Sequence, residues 1–453
     1  MPTAATWPAA APPTHAPAAA LVHSDTDTRT SLRRPTGPYT VGHDTLHLVD
    51  RARRDPWVPD AARELMVGMF YPALPGTSTP APYATVQEAR LLLQNYGLED
   101  VFPAETLSAT ATSGRVNARP SRGRYPLVVL SPGFGVSRFT LTGLAEELAS
   151  RGYVVAAVDH AYESIGTAFP GGRMLTCVAC AKAQSEQDME AVTASRGKDV
   201  SFVLDRLAGP RPTWRYAGLI DRNRIGMAGH SVGGASAAAA LAGNRRIRAG
   251  VNIDGAFHAA VPADGLGGRP FMMLGTDDET HRPGGTDASW DKAWNRLDGW
   301  KRWLTVAGTN HSSFSGIPVF LDELGLPGAQ SPQALSGRRS MEITRAYVGA
   351  FFDRQLKGIP QPLLDGPASA EPEVTFNNPR TDYGAASGCH GHRAVRGRRH
   401  CEEVAVAHRQ KRRFLRDIVP PGHTARRYGA ASDPAPDQGR TRSRPHATEP
   451  GAA

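Results

Sequence analysis

The sequence predicts an α/β fold: a doubly wound, mostly parallel sheet with helices on both faces. Three observations carry this. From residue 125 onward, short apolar runs of strand length alternate with longer helical segments, the signature of parallel strands joined by crossover helices. One of those strands runs into Gly229-His230-Ser231-Val232-Gly233 and then an Ala-rich segment over 235–242, a strand–turn–helix unit. Finally, 40% hydrophobic residues in a chain of 453 are enough to fill a sizeable core.

In chain order, residues 1–37 are rich in Pro, Ala and Thr and predict a disordered leader. The ordered body is expected over 38–376. Residues 45–49 and 65–71 alternate or run apolar and predict two paired strands ahead of the parallel sheet. Residues 75–123 hold Pro/Gly/Ser/Thr clusters around one helical piece at 86–94, and read either as a cap over the site or as a surface insertion. Strands are predicted at 125–130, 153–158, 249–254, 270–275 and 303–307, and helices at 141–150, 186–207, 290–300 and 340–356. Trp290, Trp294, Leu297 and Trp300 share a helical face, a pattern that predicts packing rather than a binding box. Residues 377–453 lose all periodicity and predict a disordered basic tail.

Charge follows the same division. From Arg380 to the end there are 15 basic and 7 acidic residues, against 37 and 36 in the rest, so +8 of the net charge of +9 lies in the tail. The body is nearly neutral, so the basic balance of the whole chain says little about its substrate, and nucleic acid is not an expected partner. The basic tail leaves a different class open, a non-catalytic binding protein with an interaction tail, and allows at most a transient contact with a lipid surface. No apolar run reaches transmembrane length. Residues 1–22 lack the basic and apolar regions of a standard secretion signal.

Four cysteines are too few to build a fold from disulfides. Cys177 and Cys180 have redox or metal spacing, but a zinc site would need ligands from Cys389, His390, His392, His400 and Cys401. A local disulfide or two free thiols is the simpler expectation.

The Gly-x-Ser-x-Gly turn predicts a nucleophile elbow with Ser231 at its tip. Gly229 and Gly233 let strand and helix approach while the hydroxyl projects. A Ser hydroxyl needs a base, and the base needs an acid to fix its tautomer. His311, just past the last strand, has the expected place for the base. His230 should point away from the Ser, His160 comes too early, and His258 and His281 lie on loops that can line a pocket. For the acid two positions stay open on the residues alone: Asp254, ending the strand after the elbow helix, and the cluster Asp277, Asp278 and Glu279 one strand later. One oxyanion donor is expected from the amide of Val232 and the other from the loop Gly133-Phe134-Gly135.

Ser131-Pro132-Gly133-Phe134-Gly135, the elbow, Asn252-Ile253-Asp254-Gly255 and Gly308-Thr309-Asn310-His311, in this order, resemble the platelet-activating factor acetylhydrolase family. These are secreted-type α/β-hydrolases related to bacterial lipases and cutinases. The resemblance spans roughly residues 39–376 and implies the α/β-hydrolase fold. It implies Asp254 as the acid and the Phe134 amide as the second oxyanion donor, whereas the lipase and cutinase relatives carry the acid one strand later. It departs at Pro132, where the family has His before the Gly, which bears on how the loop is oriented. It implies a serine esterase acting on short-chain carboxylic esters, including the sn-2 acyl group of platelet-activating-factor-like or oxidised phospholipids, with a cutinase-type lipase or polyester hydrolase as the alternative. No metal or organic cofactor is implied, the substrate being a small-molecule ester or phospholipid. A secreted location follows from the resemblance alone.

Overall fold

The computed structural model describes residues 30–323 and 334–379. Its strands, in chain order, are β1 (Thr40–Arg54), β2 (Ala62–Ala73), β3 (Gly114–Val116), β4 (Tyr125–Ser131), β5 (Val154–His160), β6 (Thr167–Phe169), β7 (Arg173–Leu175), β8 (Ile220–His230), β9 (Ile247–Ile253), β10 (Phe271–Thr276), β11 (Lys301–Val306) and β12 (Val374–Asn377). Ten of them form one sheet in the order β12-β11-β10-β9-β8-β4-β5-β2-β1-β3, while β6 and β7 pair as a separate hairpin. The run from β5 through β4, β8, β9 and β10 to β11 is parallel throughout. β2 joins it antiparallel, β1 pairs antiparallel with β2, and β12 closes the far edge antiparallel to β11. This is the α/β-hydrolase architecture.

The strand sequences explain why both faces are covered. Successive side chains of a strand point to opposite faces. In β4, Leu127 and Val129 enter the same cluster as Val200, Val203 and Leu204 of the helix Glu186–Ala208 and Ala237 and Leu241 of the helix Val232–Gly243. Val128 and Leu130 enter the opposite cluster, with Leu144 and Leu148 of the helix Thr142–Ser150 and Ile343, Tyr347 and Phe351 of the helix Gly337–Lys357. β4 is therefore apolar on both sides, as a central parallel strand must be. Each such Leu or Val side chain contributes about 1.5–3 kcal/mol when removed from water.

Several boundaries differ from the sequence expectation. Described residues ahead of 38 already pack on the body: Leu32 N–H donates to the Ala111 carbonyl at 2.9 Å, and Thr36 N–H donates to Glu147 Oε2 at 2.9 Å. Leu32 alone anchors this stretch in an apolar cluster, too weak a pattern to read from composition. At the other end the body reaches Pro379, whose carbonyl accepts from Trp294 Nε1 at 3.2 Å. β3 and β12 were not expected, being edge strands too short to show alternation. The helix expected at 290–300 is Ala288–Arg296, started by the Asp287 side chain on the Ser289 amide and ended where Leu297 turns extended. Trp290 and Trp294 are buried core residues, as their spacing predicted. The leader before Thr30 and the tail after Pro379, with Cys389, His390, His392, His400 and Cys401, lie outside the described residues.

Residues 75–123 carry more structure than the single expected helix. Thr85 and Glu88 form a reciprocal capping box for the helix Val86–Tyr96, and a short helix, Ala104–Ser108, follows. Leu92, Leu93, Tyr96, Phe102 and Leu107 pack with Val136 and Phe139, after β4, and with Ile317 and Phe320 beyond β11. The segment thus leans against two loops that leave the C-terminal edge of the sheet.

Candidate active site

The residues singled out from the sequence converge at that edge, where α/β sheets present loops to ligands. β8 delivers Ser231 in a conformation that favours glycine, φ 57° and ψ −128°. The surroundings hold it there: its amide donates to the Ile253 carbonyl at 2.7 Å and its carbonyl accepts from Gly234 at 2.8 Å. A Cβ on Gly229 would lie 2.2 Å from the Gly233 carbonyl carbon, and one on Gly233 would lie 2.0 Å from the Ser131 carbonyl oxygen. Any side chain at either position would push strand and helix apart and release the turn.

β9 delivers Asp254, also at positive φ (56°). Asn252 shapes this turn by bonding the Gly255 amide at 3.0 Å through Oδ1 and the Gly255 carbonyl at 2.7 Å through Nδ2. After β11 comes the loop carrying His311, braced by Asn310, whose side chain accepts from the Ser312 amide at 3.0 Å.

These three side chains form one chain of hydrogen bonds. Ser231 Oγ lies 2.9 Å from His311 Nε2, and His311 Nδ1 lies 2.7 Å from Asp254 Oδ2. The Asp254 carboxylate is wholly buried, so the Nδ1 proton faces it and Nε2 is left to accept from the hydroxyl. Burial works to raise the Asp254 pKa. Against it stand the nearby His281, the bond from His311 and the Thr276 amide at 2.6 Å on Oδ1, and together they hold the carboxyl below the ordinary carboxylate range. A hydroxyl, imidazole and carboxylate in this order can carry a proton away from the hydroxyl and return it.

Two of the three alternative acids are engaged elsewhere. Asp277 pairs with Arg282, at 2.6 and 2.8 Å from its Nε and Nη2, and Asp278 accepts from the Thr280 amide and the His281 ring, each at 2.9 Å. His311 is brought to Asp254 and not to this cluster.

Val232 opens the helix Val232–Gly243, where the first amides have no partner within the helix. Phe134 lies on the loop after β4 and packs in one cluster with Val232, Trp57 and Tyr162. Beneath that loop sits a buried ionic network that sequence reasoning missed. Arg196 donates to the Pro132 carbonyl at 2.5 Å and to Glu163 Oε2 at 2.7 Å. Arg63 bridges Asp55, Glu163 and Asp199 at 2.7–2.8 Å. His160 ties Asp199, at 2.7 Å, to Ser131 Oγ, at 3.0 Å. The Glu163 carbonyl accepts from the Gly135 amide at 2.9 Å, so the network grips both ends of Pro132-Gly133-Phe134-Gly135. A Pro at 132 keeps the carbonyl that Arg196 needs.

Two histidines make contacts that the sequence did not show. His230 reaches the His311 loop: its Nε2 lies 2.7 Å from the His311 carbonyl, and the two rings lie tilted with centroids 4.7 Å apart. Burial first, then the neighbouring His311, lowers its pKa to about 3, so it is neutral and donates Nε2–H to that carbonyl. His281 lies against Asp254 itself, 3.6 Å from Oδ1. His258 pairs instead with Glu186 at 2.7 Å. Cys177 and Cys180 form a disulfide, so neither sulfur is a free thiolate for zinc. It ties the N-cap of the helix Val178–Lys182 to the helix's first turn, and Cys177 packs against the cluster that holds Phe134 and Val232.

With the fold and this geometry described, likeness to known proteins becomes informative. The solved structure of a ferulic acid esterase from Streptomyces cinnamoneus is 44% identical, covers 77% of this chain and 99% of its own, and superposes with a TM-score of 0.69. The class is therefore plain: this is a carboxylic ester hydrolase on the α/β-hydrolase fold. The family model described as "Platelet-activating factor acetylhydrolase, isoform II" matches residues 25–172. A probable 1-alkyl-2-acetylglycerophosphocholine esterase from Arthroderma benhamiae is 28% identical over 375 residues, 76% of this chain and 93% of that protein. The platelet-activating factor acetylhydrolase of Cavia porcellus is 28% identical over 153 residues, 35% of its length. Over these stretches the chain is similar to the platelet-activating factor acetylhydrolase family.

Proposed function

We propose that the chain is a serine esterase acting through an acyl-enzyme. Ser231 Oγ attacks the ester carbonyl while His311 Nε2 takes its proton, Asp254 holds the imidazole in the required tautomer, and His311 passes the proton to the leaving alcohol. Water, activated by the same imidazole, then attacks the acyl carbon and restores Ser231. The amides of Val232 and Phe134 stabilise the tetrahedral oxyanion in each half-reaction. The observation that carries this reading is the continuous chain Ser231–His311–Asp254, at 2.9 and 2.7 Å, ending on a buried carboxylate.

The substrates proposed are short-chain carboxylic esters, including the short sn-2 acyl group of platelet-activating-factor-like or oxidised phospholipids. The family and the phospholipid-esterase names of its relatives support this choice. A second reading is a small aromatic acyl group, supported by the 44% identity to a ferulic acid esterase and by the aromatic residues Trp57, Phe134 and Tyr162 clustered with Val232. Hydrolysis rates for p-nitrophenyl acetate, butyrate and octanoate, methyl ferulate and a short-chain oxidised phosphatidylcholine test both. The first reading expects kcat/KM to fall steeply beyond butyrate and the phospholipid to be cleaved. Octanoate as the preferred ester, with neither the phospholipid nor methyl ferulate turned over, overturns both and favours a cutinase-type lipase.

A further inference from the structure

We propose that His281 is a positioning residue for the reaction, a second imidazole that holds Asp254 from the side opposite His311 and extends activity to lower pH, resting on the roles proposed above for Ser231, His311 and Asp254. Oδ2 of Asp254 faces His311 Nδ1 at 2.7 Å, whereas Oδ1 takes the Thr276 amide at 2.6 Å and has His281 Nδ1 at 3.6 Å. The same Nδ1 lies 2.9 Å from Asp278 Oδ1, so one ring nitrogen stands between two carboxylates. A nitrogen so placed carries its proton.

The ring is fixed on every side. It meets Trp290 edge to face at 4.9 Å, and its backbone carbonyl accepts from Trp303 Nε1 at 2.8 Å. Asp278 Oδ1 also accepts from the amides of Thr280 and His281, each at 2.9 Å, which locks the loop over the ring. The charged groups acting on His281 are Asp254 at the end of β9, Asp278 on its own loop and Asp287 at the start of the helix Ala288–Arg296. The adjacent cation, Arg282, is bound to Asp277. Burial opposes a charge here, but the three carboxylates, Asp254 foremost, outweigh it and raise the His281 pKa to about 9.

An imidazolium on Oδ1 changes what His311 senses. In general a lone buried carboxylate beside an imidazole favours the charged form of the ring, in which it cannot act as a base. With His281 charged, the Asp254–His281 pair is close to neutral, and the bias that a lone carboxylate puts on the neighbouring base is reduced. A unit charge one residue further off, at an effective dielectric of about 20, accounts for a shift on the order of one pH unit.

The test is the pH dependence of kcat/KM for p-nitrophenyl acetate with wild type, His281→Gln and Asp278→Asn. Glutamine keeps a donor and most of the volume. The expected result is an acid limb moved upward by on the order of one pH unit in His281→Gln and by part of that in Asp278→Asn, with the plateau within about tenfold of wild type. A merely structural role would lower the plateau and leave the limb in place, and that outcome overturns the proposal. Proton–nitrogen NMR of the imidazoles in Ser231→Ala reads His281 without catalysis: titration well above the ordinary histidine range is expected, and titration at or below it overturns the proposal. A high His281 titration together with undiminished turnover in Ser231→Ala would instead refute the underlying assignment, and the inference with it.

Discussion

Replacing Asp254 by Asn is the sharpest perturbation of the proposed chemistry, because the structure dictates how the new side chain must sit. The Thr276 amide, 2.6 Å from Oδ1, demands an acceptor and therefore fixes the Asn carbonyl oxygen on that side. The NH2 group then faces His311 Nδ1, where Oδ2 now lies at 2.7 Å. A donor there forces Nδ1 to accept, so the ring proton moves to Nε2 and the imidazole can no longer take a proton from Ser231. Asp254 is wholly buried, so bulk water does not readily substitute. The expected loss is on the order of 10⁴ in kcat, about 5.4 kcal/mol at 1.36 kcal/mol per decade. KM should stay nearly unchanged, since no substrate-binding group is altered. The assay is steady-state hydrolysis of p-nitrophenyl acetate by Asp254→Asn, Asp277→Asn and Glu279→Gln, with melting curves to show that each variant is folded. Asp277→Asn should lose little activity, its carboxylate being occupied by Arg282. A folded Asp254→Asn within tenfold of wild type, beside a crippled Asp277→Asn or Glu279→Gln, would refute the reasoning and move the acid one strand later.

Two further outcomes are expected. Arg196→Met should cost about 3–5 kcal/mol of stability, as removal of one partner from a buried ion pair does. It should also lower kcat, because Pro132 loses the donor that holds the Phe134 loop. Urea unfolding checks the first part, and a loss below about 1 kcal/mol would show that the network is dispensable. The second outcome concerns pH. The His281 pKa is raised to about 9 from 6.5, so its contribution to stability is complete below pH 6.5 and disappears as pH rises through 9. The gap in urea midpoint between wild type and His281→Gln should therefore narrow from pH 6 to pH 10, and a gap that stays constant would contradict the placement of this ring. His230, lowered to about 3, acts in the opposite sense and should cost stability as pH falls from 6.5 towards 3.

What could be read from the sequence is what short-range pattern encodes. Continuous apolar runs at 125–130 and 153–158 announce strands buried on both faces, and β4 and β5 are so buried. The Gly-x-Ser-x-Gly turn is legible because a side chain at Gly229 or Gly233 would collide with backbone, so the constraint is written in adjacent letters. The unread features are long-range polar contacts. Arg196 and Pro132 are 64 residues apart, and nothing local to either marks a buried Arg. His281 looks like a loop histidine, and only the folded β9 and β10 bring it to Asp254. The contact of His230 with the His311 loop was illegible for a related reason: the strand sets which way the ring projects, but the loop arrives there from 81 residues further on. The packing of Thr30 to Thr36 was illegible because these residues are held by hydrogen bonds to distant residues rather than by an apolar pattern.

The most direct measurement is the site of reaction with a fluorophosphonate, which phosphonylates a Ser only when a base activates its hydroxyl and an oxyanion site holds the product. Intact mass and peptide mapping of the full chain after labelling should show a single adduct on Ser231, with no adduct and no turnover in Ser231→Ala. An adduct on another residue, or a Ser231→Ala variant that still hydrolyses p-nitrophenyl acetate at the wild-type rate, would contradict the assignment of Ser231, His311 and Asp254 as the reacting group.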